Sequence, residues 1–301
     1  MTPAKLLLFG EHTVLHGGEA LAVPLARFGA SWTKDAPVGS SPFVPWAAYA
    51  KTAHDAHDAH DAHDGPIADW LDVDRFAAEA PGLAVASDIP RDYGLGSSGA
   101  LTALVYRRYR RSATDPPLPE LRRRLGRLES FFHGRSSGLD PSVCYLDAAV
   151  HVRADGSAVT LPTPALATPA GRWFLLDSRR PKAGETAIAG FRESAQEDGF
   201  RQNFLQPALD STAQLIAGMT ADGPRDAAWA ARLRELSALQ LAHLPWLIPQ
   251  HVATTWRRLL DADAAYVKLC GAGGGGYFLG WAPAGSDVGG PDIILLDAGP
   301  M

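Results

Sequence analysis

The segment Pro90–Ala100, reading PRDYGLGSSGA, constrains this chain more than any other stretch. The apolar run GLAVASDI over 82–89 leads into it, and Leu101, Leu104 and Val105 lead out at helical spacing. The pattern predicts a strand, a glycine-rich loop and a helix from about Ser98 to Arg111. Glycine at 94, 96 and 99 lets the backbone approach an anion with no Cβ in the way. A helix that begins there points unpaired N–H groups and the positive end of its dipole at the loop. Ser97 and Ser98 add hydroxyls suited to phosphate oxygens or to a magnesium ion. The plainer alternative is a glycine-rich turn with Ser98 as a helix N-cap. The G-K-[ST] ending of a Walker loop is missing, which excludes the P-loop NTPases.

The 301 residues allow about two domains. A content of 46% hydrophobic and 20% charged residues fits a soluble globular protein. The net charge of -5 speaks against a nucleic-acid binder, which would carry a basic excess. Two cysteines, Cys144 and Cys270, make a disulfide framework implausible, and a reduced, cytoplasmic setting is the expectation. No apolar run approaches the roughly 18 residues that cross a bilayer. The run Leu6–Phe9 is cut off at once by Gly10-Glu11-His12 and reads as a buried strand instead of a signal peptide.

Strands are expected over 5–9 and 21–25, joined through Gly17-Gly18, with strands and surface loops over 29–45. Helices are expected over 119–133, 184–221, 225–243 and from Pro249 to Leu260. Further strands are expected over 143–152, 172–177, 266–270, 277–281 and 292–296. Strands and helices without strict βαβ alternation argue for an α+β fold. Residues 53–64 carry four His-Asp pairs at a period of three. Metal binding is one reading of that tract. A solvated surface segment is the other, because a period of three spreads the histidines around a helix.

A second glycine run, Gly271-Ala272-Gly273-Gly274-Gly275-Gly276, separates two strands. Five glycines in six positions are costly in backbone entropy, so something is expected to approach that backbone closely. A hairpin turn, the simpler account, needs only one or two. Lys5 opens the first strand and Glu11-His12 closes it. Glu129 and His133 fall four apart on one helix face, and Asp140 follows in the stretch Ser136-Ser137-Gly138-Leu139-Asp140.

Taken together these segments resemble the GHMP kinase superfamily, and the mevalonate kinases most closely. The resemblance rests on KLLLFGEHTVLHG over 5–17, on the P-x-x-x-G-L-G-S-S-[GA]-A loop, on Glu129 with HGRSSGLD over 133–140, and on KLCGAGGGG over 268–276. It implies a GHMP kinase fold, with a ribosomal-S5-like ATP-binding domain over 1–165 and a ferredoxin-like domain over 166–301. It implies ATP and Mg2+ as cofactors and a small-molecule alcohol as substrate, with no nucleic acid and no membrane, and it allows a homodimer. ATP would lie on Gly94, Leu95, Gly96, Ser97, Ser98 and Gly99. Ser98 or its neighbour Ser97, with Glu129, would hold the metal. Asp140 would take the proton of the substrate hydroxyl, and Lys5 would keep it ionised. Glu11, His12 and Thr186 would face the substrate.

The expected reaction is phosphorylation of the 5-hydroxyl of mevalonate. Rivals are another superfamily member acting on phosphomevalonate, homoserine or a sugar, a related decarboxylase, a non-catalytic binding protein of the same fold, and a metal binder working through the His-Asp tract. Five positions depart from the family pattern: Ala4, Gly99, Pro141, Ser142 and Cys270.

Overall fold

The structure, a computed structural model, describes residues 1–34, 41–53, 65–182, 184–220 and 225–296. The His-Asp pairs from His54 to Asp64 lie outside the described residues.

In chain order the elements are β1 (Thr2–Phe9), β2 (Ala20–Thr33), α1 (Phe43–Thr52), α2 (Val73–Glu79), β3 (Ala84–Ser87), α3 (Ser97–Tyr109), α4 (Leu118–His133), α5 (Leu139–Leu146), β4 (Ala149–Val152), β5 (Ala158–Leu161), β6 (Ala167–Thr168) and β7 (Gly171–Asp177). Then come α6 (Glu185–Ser194), α7 (Asp198–Phe200), a π-helical turn (Arg201–Leu205), α8 (Gln206–Thr220), α9 (Ala227–His243), α10 (Gln250–Asp261), β8 (Tyr266–Leu269), β9 (Tyr277–Pro283) and β10 (Ile293–Leu295). One sheet has the order β1-β2-β4-β5 with β3 on β2, and the other β10-β7-β9-β8 with β6 on β7. The fold is α+β, as the element pattern predicts.

Internal contacts divide the chain into two compact units. The first is Met1–Lys5, Pro24–Ile89 and Gly96–Val150; the second is Leu6–Val23, Pro90–Leu95 and His151–Met301. The single cut expected after residue 165 is a simpler partition than this one.

In the first unit α4 shows why its sequence is helical. Leu121, Leu125, Leu128 and Glu129 recur on one face and are buried. Gly134, with φ 69°, ends the helix. Two expectations fail in this unit. Residues 43–45, expected as strand or loop, open α1 instead, because Phe43, Trp46, Ala47 and Ala50 make a buried helical stripe. Residues 143–146 close α5 instead of opening a strand, and only Ala149–Val152 is extended. Val143, Cys144 and Tyr145 are apolar enough for either state. Gly138 in the left-handed region starts the helix, and Asp147, also left-handed, ends it before the strand begins.

In the second unit β7 and β9 pair antiparallel along their whole length, from Gly171↔Pro283 to Asp177↔Tyr277. Trp173, Phe174, Trp281 and Phe278 from these strands are fully buried, as is Trp256 of α10. Buried Gln240 of α9 accepts from the Leu269 N–H at 2.8 Å, which ties the last turns of that helix to β8.

Trp46 anchors α1. Its Nε1 donates to the Leu128 carbonyl at 3.0 Å, and its ring meets Phe76 and Phe132 edge-on. Trp46→Ala is expected to cost about 3–5 kcal/mol. Urea unfolding followed by circular dichroism measures this, and a loss below about 1 kcal/mol would show that the contact does not hold the helix.

Candidate functional site

Helix α3 begins at Ser97, and its N-cap is Gly96 in the left-handed region (φ 70°) with no side-chain cap. This differs from the plain reading of Ser98 as an N-cap. Ser98 lies inside the first turn, and its Oγ donates to Glu129 Oε1 at 2.8 Å. The first backbone N–H groups of α3 therefore keep the anion-binding character of a helix N-terminus.

Lys5 of β1 ends beneath this turn. Its Nζ lies 2.9 Å from Asp140 Oδ2, with the lysine side chain 5% exposed and the aspartate 33%. A Cβ added to Gly96 would sit 3.0 Å from Lys5 Cγ. A Cβ on Gly99 would sit 2.9 Å from the backbone of Asp140 and Pro141. The departure at Gly99 thus has a local reason, since any side chain there would push α3 away from α5. Pro141 has one too: it occupies the first turn of α5, where the missing N–H breaks no helical bond.

Glu129 reaches the same place from α4. Ser98 donates to one of its oxygens and Ser136 to the other, the latter at 2.5 Å. The Ser98 hydroxyl has already given its one hydrogen, so His133 Nε2, 3.1 Å away, is the donor to Ser98 Oγ. Burial pushes the Glu129 carboxyl up to about 7, the Asp140 charge adds to this, and Ser136, Ser98 and Lys5 offset part of it. Burial also raises the Cys144 thiol, so that side chain is inert packing here.

The sequence-predicted residues Lys5, Gly96, Ser98, Gly99, Glu129 and Asp140 thus come together, with Ser97 starting the helix. Ser136 and His133, quoted in the motif without a role, join them. Their position four and seven residues after Glu129 was the available signal.

In the second unit the first half of the loop meets the second glycine run. A Cβ on Gly94 would lie 2.5 Å from the Cys270 carbonyl oxygen, and the Tyr277 N–H donates to the Tyr93 carbonyl at 3.2 Å. Leu95 is buried. What approaches the run is the chain's own backbone: a Cβ on Gly275 would lie 2.0 Å from the Pro181 carbonyl oxygen.

Glu11 and His12 take different partners. Glu11 Oε1 accepts from Lys268 Nζ, and both side chains are almost wholly buried. His12 Nε2 lies 3.0 Å from the Ala272 carbonyl oxygen, and its ring stacks on Phe191 at 4.4 Å and 9°. Burial lowers the His12 pKa to about 4, so the ring is neutral at neutral pH. Thr186 is exposed in the first turn of α6, the helix that carries Phe191. Lys268 and Phe191 carried no role in the sequence reading. A single lysine inside the apolar strand YVKL was the one hint of a buried carboxylate partner.

Unfolded Glu129 titrates near 4.5, so between about pH 4.5 and 7 the folded state holds a proton that the unfolded state has released. Stability therefore falls as pH rises through that window, by about 3 kcal/mol in all. Glu129→Gln is expected to stabilise the metal-free protein by about 2–3 kcal/mol at pH 8 and by little at pH 4.5. Urea melts at both values test this, and an equal effect at the two would refute the assignment.

Residues 68–148 match the family model described as GHMP kinases N terminal domain. No curated protein matches the chain. Among solved structures, the chain is similar to the mevalonate kinase of methicillin-resistant Staphylococcus aureus MRSA252 at 21% identity and a TM-score of 0.52, covering 93% of this chain and 88% of that one. It is similar to the L. major mevalonate kinase in complex with R-mevalonate at 16% identity and 0.60, covering 100% and 96%. The Streptococcus pneumoniae phosphomevalonate kinase is as near in shape, at 16% identity and 0.60, covering 93% and 90%. Residues 68–148 match a GHMP kinase N-terminal domain, and the chain shares the fold of these kinase structures.

Proposed function

We propose that the chain is an ATP-dependent kinase of a small-molecule alcohol, with mevalonate as the acceptor. The observation that carries this is the Lys5–Asp140 ion pair beside an uncapped, glycine-rich helix N-terminus with Glu129 alongside. Phosphoryl transfer asks for positioning and charge neutralisation more than for covalent help, and these groups supply both.

The backbone N–H groups of Gly96–Gly99 and the Ser97 hydroxyl would cradle the ATP phosphates. Asp140 is the one acid of the cluster with substantial solvent reach, so it would accept the proton of the attacking hydroxyl. Lys5 pairs with that carboxylate and fixes its direction. His133, donating to Ser98, holds the serine oxygen toward Glu129.

The donor set fits Mg2+. Ser98 and Glu129 offer hard oxygens, and among the described residues no group of three or more His, Cys, Asp or Glu could hold a metal ion. Mg2+ is ordinarily bound by one or two carboxylates together with substrate phosphates, so a sparse set suits it better than a cage. When bound, it would neutralise charge on the phosphate oxygens.

On the acceptor side, His12 and Thr186 are the candidate contacts. Mevalonate is favoured by the motif around Glu11-His12 and by likeness to two proteins described as mevalonate kinases. The likeness to the phosphomevalonate kinase, and to the Lactococcus lactis galactokinase complexed with galactose at a TM-score of 0.59, keeps their acceptors in the comparison.

A coupled ADP assay with Mg-ATP and mevalonate, phosphomevalonate, homoserine and hexoses tests the reading. Turnover is expected with mevalonate above the others, and turnover with another of these alone would move the acceptor. Asp140→Ala is expected to lower kcat by roughly 10²–10⁴-fold while leaving ATP affinity within about twofold. Near-normal turnover in that variant would remove Asp140 from the chemistry.

A further inference from the structure

Ser136 has no part in the phosphoryl-transfer reading, yet its hydroxyl is one of the two that bond to Glu129. The stretch from Ser136 to Gly138 lies along one face of α4. Arg122 Nε donates to the Ser137 carbonyl at 2.9 Å. A Cβ on Gly126 would sit 3.0 Å from the Ser136 carbonyl oxygen and 3.1 Å from the Gly138 nitrogen. Ser136 Oγ then meets Glu129 Oε2 at 2.5 Å. Positions 122, 126 and 129 are four and three residues apart, the spacing of a single helix face. Arg122 and Gly126 place the backbone, and the Ser136 hydroxyl is a third contact made by the side chain alone.

Each oxygen of the Glu129 carboxyl accepts from a serine, and each serine is itself held by a donor. His133 Nε2 donates to Ser98 Oγ, and Ser98 gives its hydrogen to Oε1. The Gly138 N–H donates to Ser136 Oγ at 3.0 Å, and Ser136 gives its hydrogen to Oε2. A hydroxyl has one hydrogen, so the two accepted bonds direct both hydrogens onto the carboxyl. The two sides lead to different places. Ser98 sits in the first turn of α3, within the phosphate loop. Ser136 is bonded to the backbone that starts α5, where Gly138 is left-handed and packed against the Arg122 carbonyl. Oε1 is therefore the oxygen on the loop side, and Oε2 is the oxygen tied to the protein frame.

Divalent cations use a carboxylate differently. Mg2+ is small and demands near-octahedral geometry, and the two oxygens of one carboxylate subtend too narrow an angle for that. Ca2+ is larger, takes more oxygens in looser geometry, and accepts both oxygens of one carboxylate. We propose that Ser136 is a positioning residue that sets cation choice: by holding Glu129 Oε2 it leaves Oε1 as a single-oxygen ligand, which suits Mg2+ and denies Ca2+ a two-oxygen grip. This role rests on the kinase reading above, in which Ser98 and Glu129 hold the metal. It calls only on residues of the first unit.

The test is isothermal titration of the full-length protein at pH 8 with the Mg2+ and the Ca2+ complexes of AMPPNP. Wild type is expected to bind the Mg2+ complex more tightly, by about tenfold or more. Ser136→Ala is expected to weaken the Mg2+ complex by roughly tenfold and the Ca2+ complex by less than about twofold, because Ca2+ gains the freed oxygen. Ser136→Thr keeps the hydroxyl and is expected to stay within about twofold of wild type for both. Should Ser136→Ala not fold, Ser136→Cys, near in size and only a weak donor, carries the same expectation. A purely structural serine would weaken both complexes alike, so an unchanged Mg2+-to-Ca2+ ratio in the variant overturns the proposal. A Thr variant that behaves as the Ala variant does, and a wild type that binds the two complexes equally, overturn it too. A protein that binds neither complex sinks the kinase reading together with the proposal, whereas one that binds both without preference sinks the proposal alone.

Discussion

Lys5 is buried in strand β1, and a buried ammonium has to be paired or give up its proton. Much of the first unit is arranged around that requirement. The partner is Asp140, which reaches Lys5 because α5 begins only two residues earlier, at a left-handed Gly138. A Cβ on Gly138 would lie 2.0 Å from the Arg122 carbonyl oxygen, so this start is also fixed against α4. Helix α3 closes the arrangement by packing Gly99 onto the Asp140–Pro141 backbone. One lysine, one aspartate and two glycines thereby set where three helices begin or touch.

The same geometry explains why Glu129 can hold its proton up to about pH 7 so close to a lysine. Its carboxyl is buried, and the nearest negative charge is Asp140, which already holds Lys5. Two hydroxyl donors and a shared lysine do not outweigh burial and a neighbouring carboxylate. Two carboxylates thus share one cation, and the exposed member takes the ion pair. That asymmetry separates a group suited to taking a proton from one suited to waiting for a cation.

The glycine loops were legible in the sequence because glycine states a backbone need directly. Positive φ and close approach leave few other residues able to serve: positions 94 and 96 have positive φ, and position 99 has a close approach. The helices over 118–133, 227–243 and 250–261 were legible from apolar spacing and punctuation. The run at 143–146 was not, because Val-Cys-Tyr-Leu carries no periodicity that separates a short helix from a strand. The start and stop of α5 depend on left-handed residues at 138 and 147, and Asp147 does not advertise that conformation. The partner of Glu11 was illegible for another reason. It lies 257 residues away, and no local pattern encodes a pairing of that span.

Both units therefore contain a buried lysine bonded to a carboxylate, and exposure decides what each pair can do. Asp140 keeps 33% of its side chain open, so its charge can act on a molecule that arrives. Glu11 keeps 2%, so its charge is closed off from solvent and paired with Lys268 inside the protein. A dry ion pair adds little net stability over an apolar pair of the same volume, because desolvation cancels most of the attraction. Its physical merit is direction: a bond between unlike charges tolerates few other geometries in a dry site. The second unit puts that merit between Glu11, beside a sharp corner at His12, and strand β8, which leads into a run with five glycines. A hydrophobic contact there would fill the same space without fixing the angle at which His12 meets the Ala272 carbonyl. The open pair is suited to chemistry and the closed pair to holding a frame, although the residue types are alike and both carboxylates belong to the sequence motifs.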